Sequence, residues 1–224
     1  MCKYIIRAAR PEDAPAMAAV HIDTWRTTYV GIVPEGHLQS LSLDRDATRR
    51  AARLADPGPG AVSLVAESDD GRIVGFADAG RERGETEGFD GEVYAVYVLK
   101  AWQGKRMGRS LMASAARALA EAGISAVCAR VLADNRACGF YERLGGVQVG
   151  AGTVEIGGKE LATVTYGWTD TRTLTGHTSA DGDEGPPRPP PAAPSPPARA
   201  ARRGDRRSGP PGRTGPRSRR RRRR

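Results

Sequence analysis

Cysteine is scarce in this 224-residue chain and forms no pattern: Cys2, Cys128 and Cys138 make no CxxC pair and no zinc-ligand spacing. An odd, sparse set of this kind fits a reducing compartment, and no metal is implied. Long apolar runs are missing too. The first residues, MCKYIIRAARPED, hold no stretch long enough for a signal peptide, and no segment is apolar for the length a bilayer requires. The expectation is a cytoplasmic protein without a membrane partner. Neither phosphate-binding pattern of the common nucleotide folds occurs: there is no GxGxxG, and no GxxxxGK followed by Ser or Thr.

Net charge is absent from most of the chain. The formal +9 arises from 35 Lys+Arg against 26 Asp+Glu. From Asp170 onward there are 15 Arg, no Lys and 5 acidic residues, a net of +10, which leaves residues 1–169 at −1. The basic character therefore belongs to the tail and says nothing about a substrate of the remainder. That tail has no Phe, Trp or Tyr, and its last leucine is Leu174. Such a segment buries too little surface to offset its ordering entropy and is expected to be disordered, with Pro186 to Pro197 favouring extended polyproline. Residues 1–169 are thus read as one domain and 170–224 as a disordered Pro/Arg-rich basic tail. Arg202, Arg203, Arg206, Arg207 and the run Arg219 to Arg224 could meet nucleic acid through counterion release. With no aromatic interleaving and no binding fold, a nucleic-acid role is expected only through the tail and ranks last.

What is present reads as a mixed sequence of elements. Lys3 to Arg7 is a short strand, and Pro11-Glu12-Asp13 opens a helix with proline and acids where a helix start favours them. Met17, Val20, Trp25 and Tyr29 supply its apolar side. A second helical stretch carrying Leu38, Leu41 and Leu43 leads into a charged helix, Asp44 to Ala55. Val62 to Ala66 and Ile73 to Ala79 form a hairpin around Asp69-Asp70-Gly71-Arg72. Glu92 to Leu99 is apolar on both faces, as in a central strand. Helix Met107 to Ala122, strand Ser125 to Leu132, helix Asn135 to Leu144 and the β-rich runs 147–149, 154–156 and 161–168 follow. The predicted class is α/β (α+β), a mixed, mostly antiparallel central sheet flanked by helices.

The informative stretch is Val93 to Arg109, VYAVYVLKAWQGKRMGR: a strand, a short basic loop with glycines, and a helix start. Amides at a helix N-terminus lack internal partners and sit at the positive end of the dipole, so a phosphate placed there gains charge-assisted hydrogen bonds. Gly104 and Gly108 permit close backbone approach, and Lys105, Arg106 and Arg109 add positive charge. On spacing alone, an ordinary βα turn with solvated basic residues explains the segment equally well.

This stretch resembles the signature of the GNAT superfamily of N-acetyltransferases, a strand ending in a Gln/Arg-x-x-Gly-x-Gly/Ala loop, through Gln103, Gly104, Lys105, Arg106, Met107 and Gly108. Arg106 stands where the family usually has glycine. A left-handed backbone there would cost Arg about 1 kcal/mol; a helical one would add a donor, and the helical reading is expected. Downstream, Asn135 to Gly145 (NRACGFYERLG) is similar to the family's N-x-x-A-x-x-F-Y-x-x-x-G helix. The order of elements from Tyr4 to Trp168 follows the same plan.

The resemblance implies an acetyl-CoA-dependent N-acetyltransferase in which an amine attacks acetyl-CoA directly. Gln103 to Arg109 would hold the pyrophosphate, with Met107 and Gly108 at the helix start. Val96 and Val98 would offer backbone groups to the pantetheine and thioester, and Asn135 would meet the pantetheine arm or cap its helix. Tyr141 would protonate the departing thiolate, or be a packed aromatic beside Phe140. Glu92, expected on the same face as Tyr94, Val96 and Val98, would be the general base, or else a solvated strand-end glutamate. Trp25 and Tyr29, one helical turn apart, would wall the amine pocket with Tyr94, or serve as core. His21 is expected to be structural. The resemblance also allows a homodimer, with no interface legible. The rival readings are a CoA-binding module that has lost catalysis, suggested by Arg106, and the tail-driven protein above. The acceptor is left open among protein amines, polyamines, aminoglycosides and amino-acid-like compounds.

Overall fold

The computed structural model of the chain describes residues 3–84 and 86–176. Short strand β1 (Tyr4–Ala8) is followed by a one-turn 3-10 segment at Pro11–Asp13 and by helix α1 (Ala14–Thr28). The acids expected to open the helix therefore open the tighter turn instead. Asp13 accepts from the Arg10 amide at 2.8 Å and is gripped by Arg7, so its carboxylate is spent before the α-helix begins. Helices α2 (Glu35–Ser40) and α3 (Leu43–Ala55) come next, then the hairpin of β2 (Val62–Ser68) and β3 (Ile73–Arg81), in whose turn Gly71 takes φ 78°. Strand β4 (Gly91–Val98), helix α4 (Met107–Glu121) and strand β5 (Val127–Leu132) form a parallel crossover, the connection that needs a helix. Helix α5 (Cys138–Arg143), strands β6 (Val147–Ile156) and β7 (Lys159–Trp168), and a single turn α6 (Arg172–Thr175) complete the described chain.

The strands make one sheet in the order β1-β2-β3-β4-β5-β7-β6, antiparallel throughout except at β4–β5. One face is covered by α4, whose Met107, Leu111, Met112, Ala115 and Leu119 pack with Val74, Ala77, Val93 and Val127. On the other face Met17 and Val20 of α1 pack on Val65 and Phe76, with Ala95 and Tyr97 alongside. Charged α3 is anchored below α1 by a buried network. Asp46 accepts from Arg50 Nε at 2.9 Å and lies 2.9 Å from His21 Nδ1, while Arg50 also reaches Asp78 at 3.1 Å. Burial opposes charge on Asp46, but the bonds from His21 and Arg50 outweigh it and hold the carboxyl below the usual range.

Three expectations are corrected here. The helix expected over 135–144 is shorter, because Asn135 Oδ1 accepts from the Ala137 amide at 2.9 Å and closes a turn ahead of Cys138. The two short runs expected over 147–156 are one continuous strand, since β7 offers a partner along its whole length, with one irregularity at Gln148/Gly150. Finally, ordered structure continues past residue 169. Leu174 is 1% exposed in the α4-side core, and the Thr171 amide donates to Ser125 O at 2.9 Å. The rest of the expected tail, including its arginine runs, lies outside the described residues. Among the described residues no helix is long and apolar enough to cross a membrane.

Candidate active site

Two features of β4 create the site. The first is a β-bulge. Asp78 pairs with Ala95 and Ala79 with Val93, so Tyr94 faces no residue of β3. One extra residue reverses the alternation of side chains. Val93, Val96 and Val98 lie on the α4 side, whereas Ala95 and Tyr97 lie on the α1 side. Glu92, in alternation with Val93, therefore belongs to the α1 side. This corrects the expectation that Glu92 shares a face with Val96 and Val98: simple period-2 counting fails across a bulge.

The second feature is a splay. β4 and β5 pair only at Gly91↔Val127 and Glu92↔Cys128, and beyond that point they part. Leu99 N donates to Val74 O at 3.0 Å. By strand alternation Tyr97 and Ala95 also direct their amides at β3, leaving those of Val96 and Val98 aimed into the opening. Gln103 Nε2 donates to Val98 O at 2.9 Å and ties the following loop to this edge.

That loop turns sharply. Gly104 has φ 74° and Arg106 φ 61°, ψ −1°, the one non-glycine residue in the left-handed region among the described residues. The helical reading of Arg106 is thus overturned: it is the residue before α4, and the turn demands the conformation glycine adopts freely. The first amides of α4, which have no partner within the helix, follow directly on Lys105 and Arg106, with Arg109 in the first turn, and Lys105 Nζ lies 5.1 Å from the centre of the Trp102 ring. A Cβ added at Gly104 would meet no atom within 4 Å, so this cradle is open. At Gly108 an added Cβ would lie 3.3 Å from Phe140 of α5. The donor set (helix amides, two glycines, three cations) fits a pyrophosphate, and the free edge of β4 fits an extended amide-bearing arm.

Aromatic residues bridge the two lips of the splay from the α1 side. Trp25 Nε1 donates to Tyr97 OH on β4 at 2.9 Å. Tyr29 OH accepts from Asn135 Nδ2, beyond β5, at 3.0 Å, and the Trp25 and Tyr29 rings lie 4.8 Å apart. Tyr29 also packs with Val33, Leu38, Leu132 and Leu161. Trp25 and Tyr29 thus have their polar atoms already held by the protein. Tyr141 is buried within the α4-side core. Burial pushes the Tyr97 and Tyr141 phenols up, and the charge of Tyr29 adds to both shifts.

Glu92 is 1% exposed. It is no solvated strand end: Arg83 Nε donates to its Oε2 at 2.8 Å and a terminal nitrogen of Arg83 to its Oε1. Arg83 in turn stacks over the Tyr94 ring at 5.0 Å. The Tyr94 hydroxyl donates to Arg81 O, and its ring lies against Gly80, so Tyr94 props Arg83 instead of entering the splay. Cys128, opposite Glu92, has its thiol pushed up to about 11 by burial, with the Glu92 charge adding to it. Arg83 and Tyr97 escaped the sequence reading. Arg83 lies in a connecting segment with no motif around it, and only the knowledge of a bulge would have turned Tyr97 toward the α1 side.

A sheet split at its one parallel junction, with a basic helix start at the mouth and a tyrosine-bearing helix beyond, is the framework of an acyltransferase that draws its acyl group from a CoA thioester. The comparisons agree. The model of the acetyltransferase (GNAT) family matches residues 17–146, and the chain belongs to that family as an N-acetyltransferase. It is 36% identical over 169 residues to YuaI of Bacillus subtilis (strain 168), described as an uncharacterized N-acetyltransferase, covering 75% of this chain and 95% of that one. Among solved structures it resembles the ribosomal-protein-alanine N-acetyltransferase of Brucella melitensis (26% identity, TM-score 0.57, 73% of this chain and 98% of that one). It also shares its fold with yncA of Salmonella typhimurium, solved with acetyl-CoA (22% identity, TM-score 0.57, 81% and 98%).

Proposed function

We propose that the chain transfers the acetyl group of acetyl-CoA to a primary amine by direct attack in a ternary complex. The parting of β4 from β5 immediately after Glu92 and Cys128 carries this reading, because it frees the Val96 and Val98 edge beside a basic helix start. Acetyl-CoA supplies an acyl carbon already activated as a thioester. The loop from Gln103 to Arg109 and the N-terminus of α4 hold the pyrophosphate, and the β4 edge aligns the pantetheine as an added strand. Asn135, fixed by Tyr29 and the Ala137 amide, lies along the same arm.

Glu92 accepts the proton the amine must lose, and Arg83, whose side chain is 55% exposed, swings away to free a carboxylate oxygen. The amine nitrogen bonds to the acyl carbon, the carbon–sulfur bond breaks, and the Tyr141 hydroxyl gives its proton to the sulfur. Burial keeps that phenol protonated at neutral pH. Holding both reactants in one cleft supplies much of the acceleration.

The test is thermal unfolding with and without acetyl-CoA, in wild type and in Gly108→Trp, whose side chain must displace Phe140 or fill the cradle. At 100 times its Kd the ligand should add ~2.7 kcal/mol. A rise in wild type that the variant loses supports the assignment; no rise at millimolar ligand refutes it. Binding without turnover across a broad amine panel would favour the noncatalytic module instead.

A further inference from the structure

We infer that the Thr24 hydroxyl is a further binding group for acetyl-CoA, holding the pantetheine arm from the α1 side, across from the β4 edge; this rests on the acetyl-transfer reading above. Thr24 is 6% exposed, and among the described residues its Oγ1 is the one buried side-chain nitrogen or oxygen without a hydrogen-bond partner. A buried hydroxyl left unpaired costs stability, so its retention calls for a partner that arrives when the protein works. The ordinary remedy within a helix is not taken. Thr27, on the exposed side of the same helix, gives its hydroxyl to Asp23 O at 2.9 Å, whereas Thr24 makes no such bond to the preceding turn.

The course of α1 places this hydroxyl. Met17, Val20, Thr24 and Thr28 follow one another at helical spacing, so they share the side of α1 that faces the sheet. Met17 and Val20 pack on Val65 of β2 and Phe76 of β3. One turn on from Met17, the His21 ring lies 5.1 Å from that of Tyr97 on β4, and Trp25 bonds to the Tyr97 hydroxyl. Just past the end of the helix, Tyr29 is bonded to Asn135, beyond β5. Helix α1 therefore passes from β3 over β4 and on across the splay, and the turn that holds Thr24 lies where β4 and β5 have parted. The facing stripe changes with what lies beneath it: methionine and valine over paired strands, threonine over the opening. An extended arm that carries amides supplies the carbonyl or N–H that a hydroxyl takes as partner. The β4 edge holds one side of that arm and Thr24 the other.

The experiment measures Kd for CoA and for acetyl-CoA by isothermal titration calorimetry, and Tm without ligand, in wild type, Thr24→Val and Thr24→Ser. Valine keeps the shape and removes an unpaired hydroxyl, so the ligand-free Tm should stay level or rise. Both ligands should nevertheless bind about 5-fold more weakly, the worth of one neutral hydrogen bond, and by the same factor because they share the arm. Serine keeps the hydroxyl and should bind both nearly as wild type does. An unchanged Kd in Thr24→Val overturns the inference, as does a serine variant as weak as the valine one. So does a lower ligand-free Tm or a failure to fold in Thr24→Val, which would give the hydroxyl a structural partner. A loss confined to acetyl-CoA overturns it too, because the contact would then be with the acyl group. Each of these leaves the acetyl-transfer reading standing; a wild type that binds neither ligand removes both.

Discussion

Replacing Arg106 by glycine should make the protein more stable, although it removes a charge from the mouth of the site. Arg106 has φ 61° and ψ −1°, a conformation that brings Cβ against the following carbonyl. For an L-residue this costs roughly 1–2 kcal/mol. Glycine escapes that clash but loses more backbone freedom on folding, by roughly 0.5–1 kcal/mol. The difference leaves a gain of roughly 0.5–1 kcal/mol, a rise in Tm of roughly 1–4 °C for a domain of this size. Arg106→Ala is the control, since it deletes the guanidinium and retains the strain. Differential scanning calorimetry of the three proteins without ligand separates the terms. If the glycine variant melts no higher than the alanine variant, the strain argument is wrong. Acetyl-CoA affinity should move oppositely, weakening similarly in both variants because each lacks the same cation.

Three further outcomes follow from other contacts. Tyr141→Phe should lower kcat by about 100-fold at nearly constant KM, the lower range for a lost general acid; steady-state kinetics reads this, and an unchanged kcat removes Tyr141 from the chemistry. Asp46 has a folded-state pKa below its unfolded value, so its contribution is fully present above about pH 4–5 and is lost as pH falls below that. Acid titration of stability should accordingly be shallower for Asp46→Asn, with lower stability at pH 7, and equal slopes would contradict the network. Ending the chain at Asp170 removes Leu174 from the core and should cost roughly 1.5–3 kcal/mol, read as Tm, whereas ending it at Gly176 should cost little.

The β4-loop-α4 segment was legible because its chemistry is local: glycines, cations and a helix start within seven residues explain one another. So was the run of secondary structure, through periodicity and turn residues. The sequence did not reveal the bulge at Tyr94, because an extra residue is visible only against its partner strand. With it went the facing of Glu92 and the α1-side position of Tyr97. Arg106 misled for a related reason. Intrinsic preference favoured a helical residue, and the loop geometry overrode it. Arg83 was invisible because an ion pair between a connecting segment and a strand has no spacing rule, and the 169 boundary missed Leu174 because composition averages over a single core leucine.

The strand order also has a consequence for synthesis. β1 to β4 pair only with sequence neighbours, and α4 packs upon them, so this half can form while the chain is still emerging from the ribosome. The other half cannot. β7 must slot between β5 and β6, which makes the last long strand the one that locks β5 in position. A nascent chain thus has its basic loop early and its cleft late. Truncated products of interrupted translation would retain the basic loop but lack the second lip, and would carry no organised cleft.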